Sequence, residues 1–250
     1  ICIGYDTLFG SERFAEIAAE ILASAGIAVQ LASRITPTPA MSFGVRERGT
    51  AGGIMITSSH NPYQWNGVKY KASYGGSGKP SIMAAIESQL GKPLAKAAAP
   101  AAITRVDFCP DYIDAIAAFA DLKKIAASGY KFAIDSMYGA GAGILKGIFS
   151  RAGIPCIEIH SEHNPLFPGI NPEPIEPHIH SLQRAVVEHG CQAGLATDGD
   201  ADRIGAVDED GNLVDAHKIF SILLRWLIER KRWPGEVVRT FNTTRMVDRI

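Results

Sequence analysis

The same succession of patterns runs through this chain twice, and that internal repeat narrows the fold more than any single motif does. Residues 1–6 form an apolar run ending in Asp6, and residues 131–135 form another ending in Asp135. Each is followed by helical spacing. Phe14, Ile17, Ala18, Ile21, Leu22 and Ala25 recur behind Ser11, a candidate N-cap, and Ile144, Leu145, Ile148 and Phe149 recur in the second copy. Ala25-Gly26-Ile27 is echoed by Ala152-Gly153-Ile154, and Ile54-Met55-Ile56-Thr57 by Gly194-Leu195-Ala196-Thr197. Strands that alternate with helices predict an α/β fold, whose ligands gather in loops at the carboxyl ends of the strands. The loops that follow Thr57 and Thr197 therefore occupy corresponding places in two related units, and each leads to a cation, Lys69 in one and Arg203 in the other.

Between these landmarks the first unit reads as a strand over 27–31, an extended proline loop over 36–39, a helix over 41–48 and a strand over 53–56. Val68, Tyr70 and Ala72 alternate with Lys69 and Lys71, which predicts a strand with both ammonium groups on one side. A flexible turn over 74–78, a helix over 81–90 and a low-complexity linker over 92–100 complete it. The second unit is expected to start near residue 103, with a helix after Pro110 carrying Ile113, Ile116, Ala117 and Ala120. It is longer because residues 160–177 replace the short proline loop. Asp210-Gly211 signals a hairpin, and Ile219, Ile222, Leu223, Trp226 and Leu227 predict an amphipathic helix. Residues 236–241 read as a strand opening a third repeat. The expected division is 1–102 for the unit with the serine loop, 103–232 for the unit with the acidic loop, and 233–250 for the start of a third.

Composition excludes some partners. Of 250 residues, 46% are hydrophobic, enough for buried cores, and the net charge of −1 comes from scattered cations, which argues against nucleic acid or an anionic membrane surface. Cys2, Cys109, Cys156 and Cys191 lack the spacing of a disulfide framework or a metal site and read as buried reduced thiols. With no apolar run of spanning length and no signal-peptide pattern, the expected location is cytoplasmic. Ile1 opens inside an apparent strand, so the expectation is a chain truncated at its start.

Asp198, Asp200 and Asp202 alternate between two strands, and crowded carboxylates repel one another unless a cation neutralises them. Their oxygens are hard ligands with no Cys or His beside them, so Mg2+ suits them better than zinc or copper. A calcium loop is excluded: Arg203 stands where its glycine must be, and a strand precedes Asp198 instead of a helix. In the other loop, Ser59 is a nucleophile candidate outside any Gly-x-Ser-x-Gly elbow. His60 can exchange a proton or orient a phosphate, Asn61 and Pro62 hold the turn, and Lys69 can neutralise phosphoryl charge. A serine that carries phosphate beside an acidic Mg2+ loop is chemically coherent. The glycines of 139–143 read as packing, without the Lys-Ser/Thr ending of a P-loop. His160, His163, His178 and His180 read as a polar loop, Trp226 and Trp233 as core and helix-end residues, and Arg230-Lys231-Arg232 as a cap on a helix C-terminus.

Thr57-Ser58-Ser59-His60-Asn61-Pro62 and Asp198-Gly199-Asp200-Ala201-Asp202-Arg203 together resemble the α-D-phosphohexomutase family of phosphoglucomutases and phosphomannomutases. Gly4-Tyr5-Asp6, Asn66-Gly67-Val68-Lys69 and Asn171-Pro172-Glu173-Pro174 extend the resemblance along the whole chain. It implies repeated αβα domains with mixed sheets, the first two of an expected four. It also implies a phosphoserine at Ser59, Mg2+ held by Ser59, Asp198, Asp200 and Asp202, and catalytic support from His60, Lys69 and Arg203. The implied activity interconverts hexose 1-phosphate and 6-phosphate, of glucose or mannose, through a hexose 1,6-bisphosphate. The alternatives are an amino-sugar phosphomutase and a fragment that binds Mg2+ or phosphosugar without turnover. The chain departs from the family at Leu8, where arginine is usual, and the family's initial arginine-bearing segment, sugar-recognition loop and fourth domain are expected to lie outside these residues.

Overall fold

A computed structural model describes residues 1–94 and 96–250; Ala95, inside the expected linker, lies outside the described residues. The first unit runs β1 (Cys2–Tyr5), α1 (Ser11–Ser24), β2 (Val29–Ala32), α2 (Thr38–Glu47), β3 (Gly52–Ile56), β4 (Val68–Ala72), α3 (Pro80–Glu87) and β5 (Ile103–Val106). The second runs α4 (Cys109–Phe119), α5 (Leu122–Ala127), β6 (Phe132–Asp135), α6 (Ile144–Arg151), β7 (Cys156–Ile159), α7 (His180–Glu188), β8 (Ala193–Thr197), β9 (Ile204–Asp208), β10 (Leu213–Val214) and α8 (Ala216–Trp226). A single π turn, Leu227–Lys231, and a 3-10 turn, Arg245–Arg249, follow.

The repeat is real in three dimensions. The first sheet has the order β4-β3-β1-β2-β5 and the second β10-β9-β8-β6-β7, so β3, β1 and β2 correspond to β8, β6 and β7. Four parallel strands in the first sheet and three in the second are flanked by an antiparallel one, β4 against β3 and β9 against β8. The serine and acidic loops make these two matching turns. In the second sheet, adjacent β6 residues point to opposite faces: Ala133 packs with Leu182 and Val186 of α7, and Ile134 with Ile144 and Ile148 of α6. Helices thus cover both faces, giving an αβα layering with mixed sheets.

Four expectations need correction. The second unit does not begin at residue 103, because β5 pairs in parallel with β2 through Val29–Ile103 to Ala32–Val106 and completes the first sheet. No strand forms over 236–241 among the described residues, and Phe241 is fully exposed. In α1 most of the large apolar residues turn away from the core, although Leu22 packs against it. Phe14, Ile17 and Ile21 are exposed while Ala15, Ala19 and Ala23 are buried, because alanine lets the helix lie close to the sheet. Ser11 is the first helical residue and not the cap. Gly10 occupies the cap at φ 78°, and the Ser11 hydroxyl instead donates to Asp6 Oδ1 at 2.8 Å. The cysteines are free as expected, although Cys156 is only half-buried.

The units meet through a shared core. Ala40 of α2 packs into the cluster of Cys109, Ile134 and Ile148, and α4 touches both α2 and α6. At the loop ends, Leu8 is buried against Tyr138 and Phe167 of the other unit, with Ile170 beside them. This accounts for the departure at residue 8, since a guanidinium here would be set among apolar and aromatic side chains. Truncating Leu8→Ala should lower unfolding free energy by about 2–5 kcal/mol, read as a lower urea midpoint. A midpoint unchanged from the parent chain would show that the cluster does not tie the units together.

Candidate phosphoryl-transfer site

Ser59 sits at φ 61°, a left-handed conformation uncommon for serine. The turn is held by Thr57, whose Oγ1 accepts from Ser59 N–H at 2.8 Å while its own N–H donates to the Gly67 carbonyl at 2.9 Å. This aims the buried hydroxyl at the acidic loop of the other unit. Ser59 Oγ donates to Asp200 Oδ1 at 3.0 Å and lies 3.3 Å from Asp198 Oδ2. The acidic loop is equally determined. Asp198 Oδ1 accepts from the Asp202 and Arg203 N–H groups at 2.9 and 3.0 Å, and Gly199 N–H donates to the Pro172 carbonyl at 3.1 Å. A Cβ on Gly199 would stand 2.3 Å from the Ser59 carbonyl oxygen, so no larger residue lets the two loops meet this closely. The 139–143 segment packs against the same loop, with Ala140 N–H donating to the Gly199 carbonyl, which agrees with its reading as structural.

Oxygens of Asp198, Asp200 and Asp202 all lie within 4.8 Å of one another, and the first two carboxylates are completely buried. Burial first, then the charge of Asp200, pushes Asp198 up to about 7. Asp200 goes the other way. Burial opposes its ionisation, but hydrogen bonds from Lys69 and Thr38 outweigh it and hold the carboxyl below the usual range. Lys69 Nζ is 2.6 Å from Asp200 Oδ2 and 3.1 Å from Asp202 Oδ2, and these acids hold its ammonium above the usual range against the effect of burial. Two buried acids in such different states, one ionised and one reluctant, form a donor set that fits a hard divalent cation.

Every residue expected at the site is here, although His60 and Arg203 stand slightly back. His60 Nδ1 is 3.5 Å from Ser59 Oγ, and Arg203 Nε is 3.9 Å from Asp198 Oδ2. What joins them is Glu173, whose Oε1 is 3.3 Å from Arg203 Nη1 and 3.7 Å from His60 Nε2. Spacing and composition carry no physical sign of this role beyond a rigid proline loop. Thr38 is a second site residue without a signal in the sequence. It lies at the start of α2, where a proline in the first turn costs nothing, and joins the site by donating its hydroxyl to Asp200 Oδ2 and its N–H to the Asp200 carbonyl. The loop histidines do not cluster. His163 Nε2 contacts the Thr7 carbonyl, His178 Nδ1 accepts from Asn171 N–H, and His160 pairs with the buried Asp135 at 2.9 Å.

That last pair ties the ends of β6 and β7 together. The hydrogen bond to Asp135 raises His160 above its ordinary value near 6.5. A raised folded-state value means that the pair contributes fully below about 6.5 and loses that contribution as pH climbs through the folded value. The stability gap between the parent chain and His160→Gln should therefore narrow from pH 5.5 to pH 8.5 in denaturant titrations. A gap that stays constant would dismiss the charge of His160 as a contributor.

Comparison with known proteins agrees with this geometry. Residues 1–96 match the profile for "Phosphoglucomutase/phosphomannomutase, alpha/beta/alpha domain I" and residues 110–211 match that for domain II. A phosphoglucosamine mutase of Caldicellulosiruptor bescii is 35% identical over 238 residues, covering 93% of this chain and 52% of that protein. Another, from a Parafrankia species, is 33% identical, covering 96% of this chain and 50% of that protein. A solved structure from Thermus thermophilus, described provisionally as a phosphomannomutase, superposes with a TM-score of 0.91 at 37% identity, over 99% of this chain and 57% of that one. The chain spans about half the length of the curated relatives it matches.

Proposed function

Because the chain belongs to the phosphoglucomutase/phosphomannomutase family, we propose that it carries the phosphoryl-transfer half of a phosphohexomutase, with Ser59 as the phosphate carrier. The observation that carries this reading is the approach of Ser59 Oγ to Asp198 and Asp200 across 139 and 141 residues of chain. In the forward direction phosphoserine gives its phosphoryl group to a free hydroxyl of a hexose phosphate. The P–O bond to Ser59 breaks, a P–O bond to the sugar forms, and a hexose 1,6-bisphosphate results. Turning over, that intermediate returns its other phosphoryl group to Ser59.

The residues divide the work by charge and reach. Ser59, Asp198, Asp200 and Asp202 would hold Mg2+, which when bound withdraws electron density from the transferring phosphorus. Lys69, kept protonated by Asp200 and Asp202, neutralises equatorial phosphoryl oxygens. Arg203, pinned by Glu173, presents its guanidinium to the same group, and a planar fork suits phosphate better than an ammonium would. His60 is the ring within reach of Ser59 Oγ and exchanges the proton that the sugar hydroxyl loses and regains. Four turn residues, Thr57, Gly67, Pro172 and Gly199, keep the two loops at this separation before substrate arrives, which is where the orientational advantage of an enzyme lies.

The sugar is a separate question. The relatives at 33 and 35% identity are named for glucosamine and the Thermus structure for mannose, so an amino-sugar phosphate stands beside glucose and mannose phosphates as substrate. The half-reaction tests both points on this chain. Incubation with glucose, mannose or glucosamine 1,6-bisphosphate should add one phosphoryl mass to the peptide containing Ser59, fastest with the native sugar, and not in Ser59→Ala. No added mass from any of the three, or equal addition in the variant, would remove Ser59 as carrier. Asp200→Asn, which deletes one charge at nearly constant size, should weaken Mg2+ binding in calorimetric titration by about tenfold or more. Equal affinity would mean that Asp200 does not hold the metal.

A further inference from the structure

The Asp6 carboxylate takes no part in the transfer site, yet it begins a chain of hydrogen bonds that ends there. Its Oδ1 accepts from the Leu8 N–H at 3.0 Å and from the Ser11 hydroxyl at 2.8 Å. The Asn66 amide lies against the same hydroxyl, with Nδ2 2.9 Å from Ser11 Oγ and 3.3 Å from the Phe9 carbonyl oxygen. At its other end, Asn66 Oδ1 accepts from the Gly67 N–H at 2.8 Å. Asp6 and Ser11 are buried, and 55 residues of chain separate Ser11 from Asn66, so this contact joins the start of α1 to the residues that lead into β4.

The direction of these bonds is forced. A serine hydroxyl carries one proton. Ser11 gives it to Asp6, whose Oδ1 is already an acceptor for the Leu8 N–H, so toward Asn66 it can only accept. The Asn66 amide must therefore turn Nδ2 to Ser11 and Oδ1 to Gly67. Gly67 passes the constraint on. Its carbonyl accepts from the Thr57 N–H at 2.9 Å, and a Cβ on Gly67 would stand 2.9 Å from the Thr57 carbonyl oxygen. Thr57 Oγ1 in turn accepts from the Ser59 N–H, in the turn that holds the serine at φ 61°. Lys69 lies two residues beyond Gly67, on the strand whose pairing with β3 begins at Val68 and Ile56.

We propose that Asn66, oriented by Ser11 and Asp6, is a positioning residue that fixes Ser59 and Lys69 relative to each other for phosphoryl transfer. None of the three touches the reacting group. Together they clamp the strand that bears Lys69 to the left-handed serine turn, so that hydroxyl and ammonium reach Asp200 as one unit. A reacting group misplaced by about 1 Å costs on the order of a hundredfold in rate. An interaction that matters only in the transition state lowers the limiting rate and leaves ground-state binding alone. The effect of the clamp on rate rests on the carrier role proposed for Ser59, whereas its hold on the turn does not.

The test compares the parent chain with Asn66→Asp, Ser11→Ala and the double variant by two measurements. One is hydrogen exchange at the Ser59 amide, followed by NMR; the other is the rate of Ser59 phosphorylation as the concentration of each of the three hexose 1,6-bisphosphates is raised. Asn66→Asp keeps the size of the side chain but sets a carboxylate oxygen, without a proton, against Ser11 Oγ, and the urea midpoint and Mg2+ affinity of each variant report an intact fold. Ser59 exchange should quicken about tenfold or more in Asn66→Asp and about threefold or more in Ser11→Ala. The limiting rate of phosphorylation should fall by similar factors, with the half-saturating bisphosphate concentration changed by less than about twofold. Ser11→Ala should add little in the Asn66→Asp background, because the two residues act through one contact. Where Asn66→Asp does not fold, Ser11→Ala carries the same expectation alone. Unaltered Ser59 exchange in a folded variant, a limiting rate equal to that of the parent, or exchange that quickens equally throughout the first unit would overturn the clamp. A parent chain that gains no phosphoserine sinks only the carrier, and the exchange measurement then decides the clamp by itself.

Discussion

The Asp200 carboxylate is the group on which the two halves of this molecule depend. It is completely buried, and an isolated buried charge is costly enough that a chain either neutralises it or loses it. Here Thr38, Ser59 and Lys69, from three different elements of the first unit, all donate to it. Each donor is in turn fixed by something local: the first turn of α2, the Thr57-braced loop, and the register of β4 against β3. The second unit delivers the acid on a loop that Pro172 and Ala140 brace from either side. The pairing is therefore less a source of net stability than a specification of geometry, because removing one partner would leave a buried group unsatisfied.

Hydrophobic contacts do the holding while the polar ones do the aiming. Ala40 and Leu8 reach into clusters made mostly by the second unit, one at the level of the helices and one at the loop ends. Between these two apolar contacts the site is spared any need to bind the units together by its own charges. That division explains why Asp198 can sit with its carboxyl pushed up to about 7 without the fold rearranging to relieve it.

Much of this is legible in the residues, and the reasons for the rest are specific. The repeat, the α/β class and the matching places of the Ser59 and aspartate loops follow from strand-to-loop patterning, which depends on local spacing alone, whereas the αβα layering and the meeting of the two loops follow from the family resemblance. The limit of the first sheet does not follow, because β5 joins β2 across a linker, and pairing between distant strands leaves no local trace. Periodicity misplaces the inner face of α1 because hydrophobicity ranks Phe14 above Ala15, while close helix-sheet approach favours the smaller side chain. Thr38 and Glu173 are invisible as site residues for a related reason. Their roles come from loops of different units that meet only in the folded molecule.

The distance along the chain between Ser59 and Asp200 also sets an order of events at the ribosome. The first unit is complete by β5, so its serine loop and Lys69 emerge and fold before the acids that answer them exist. At about 5–20 residues per second, the 141 residues between them take roughly 7–28 s to make. During that interval the Lys69 ammonium has no carboxylate from the acidic loop, and the surface that will face Asp200 is open to any acidic segment in the cell. A nascent chain of this design is thus a cation-bearing half-site first and an acid-lined pocket only later.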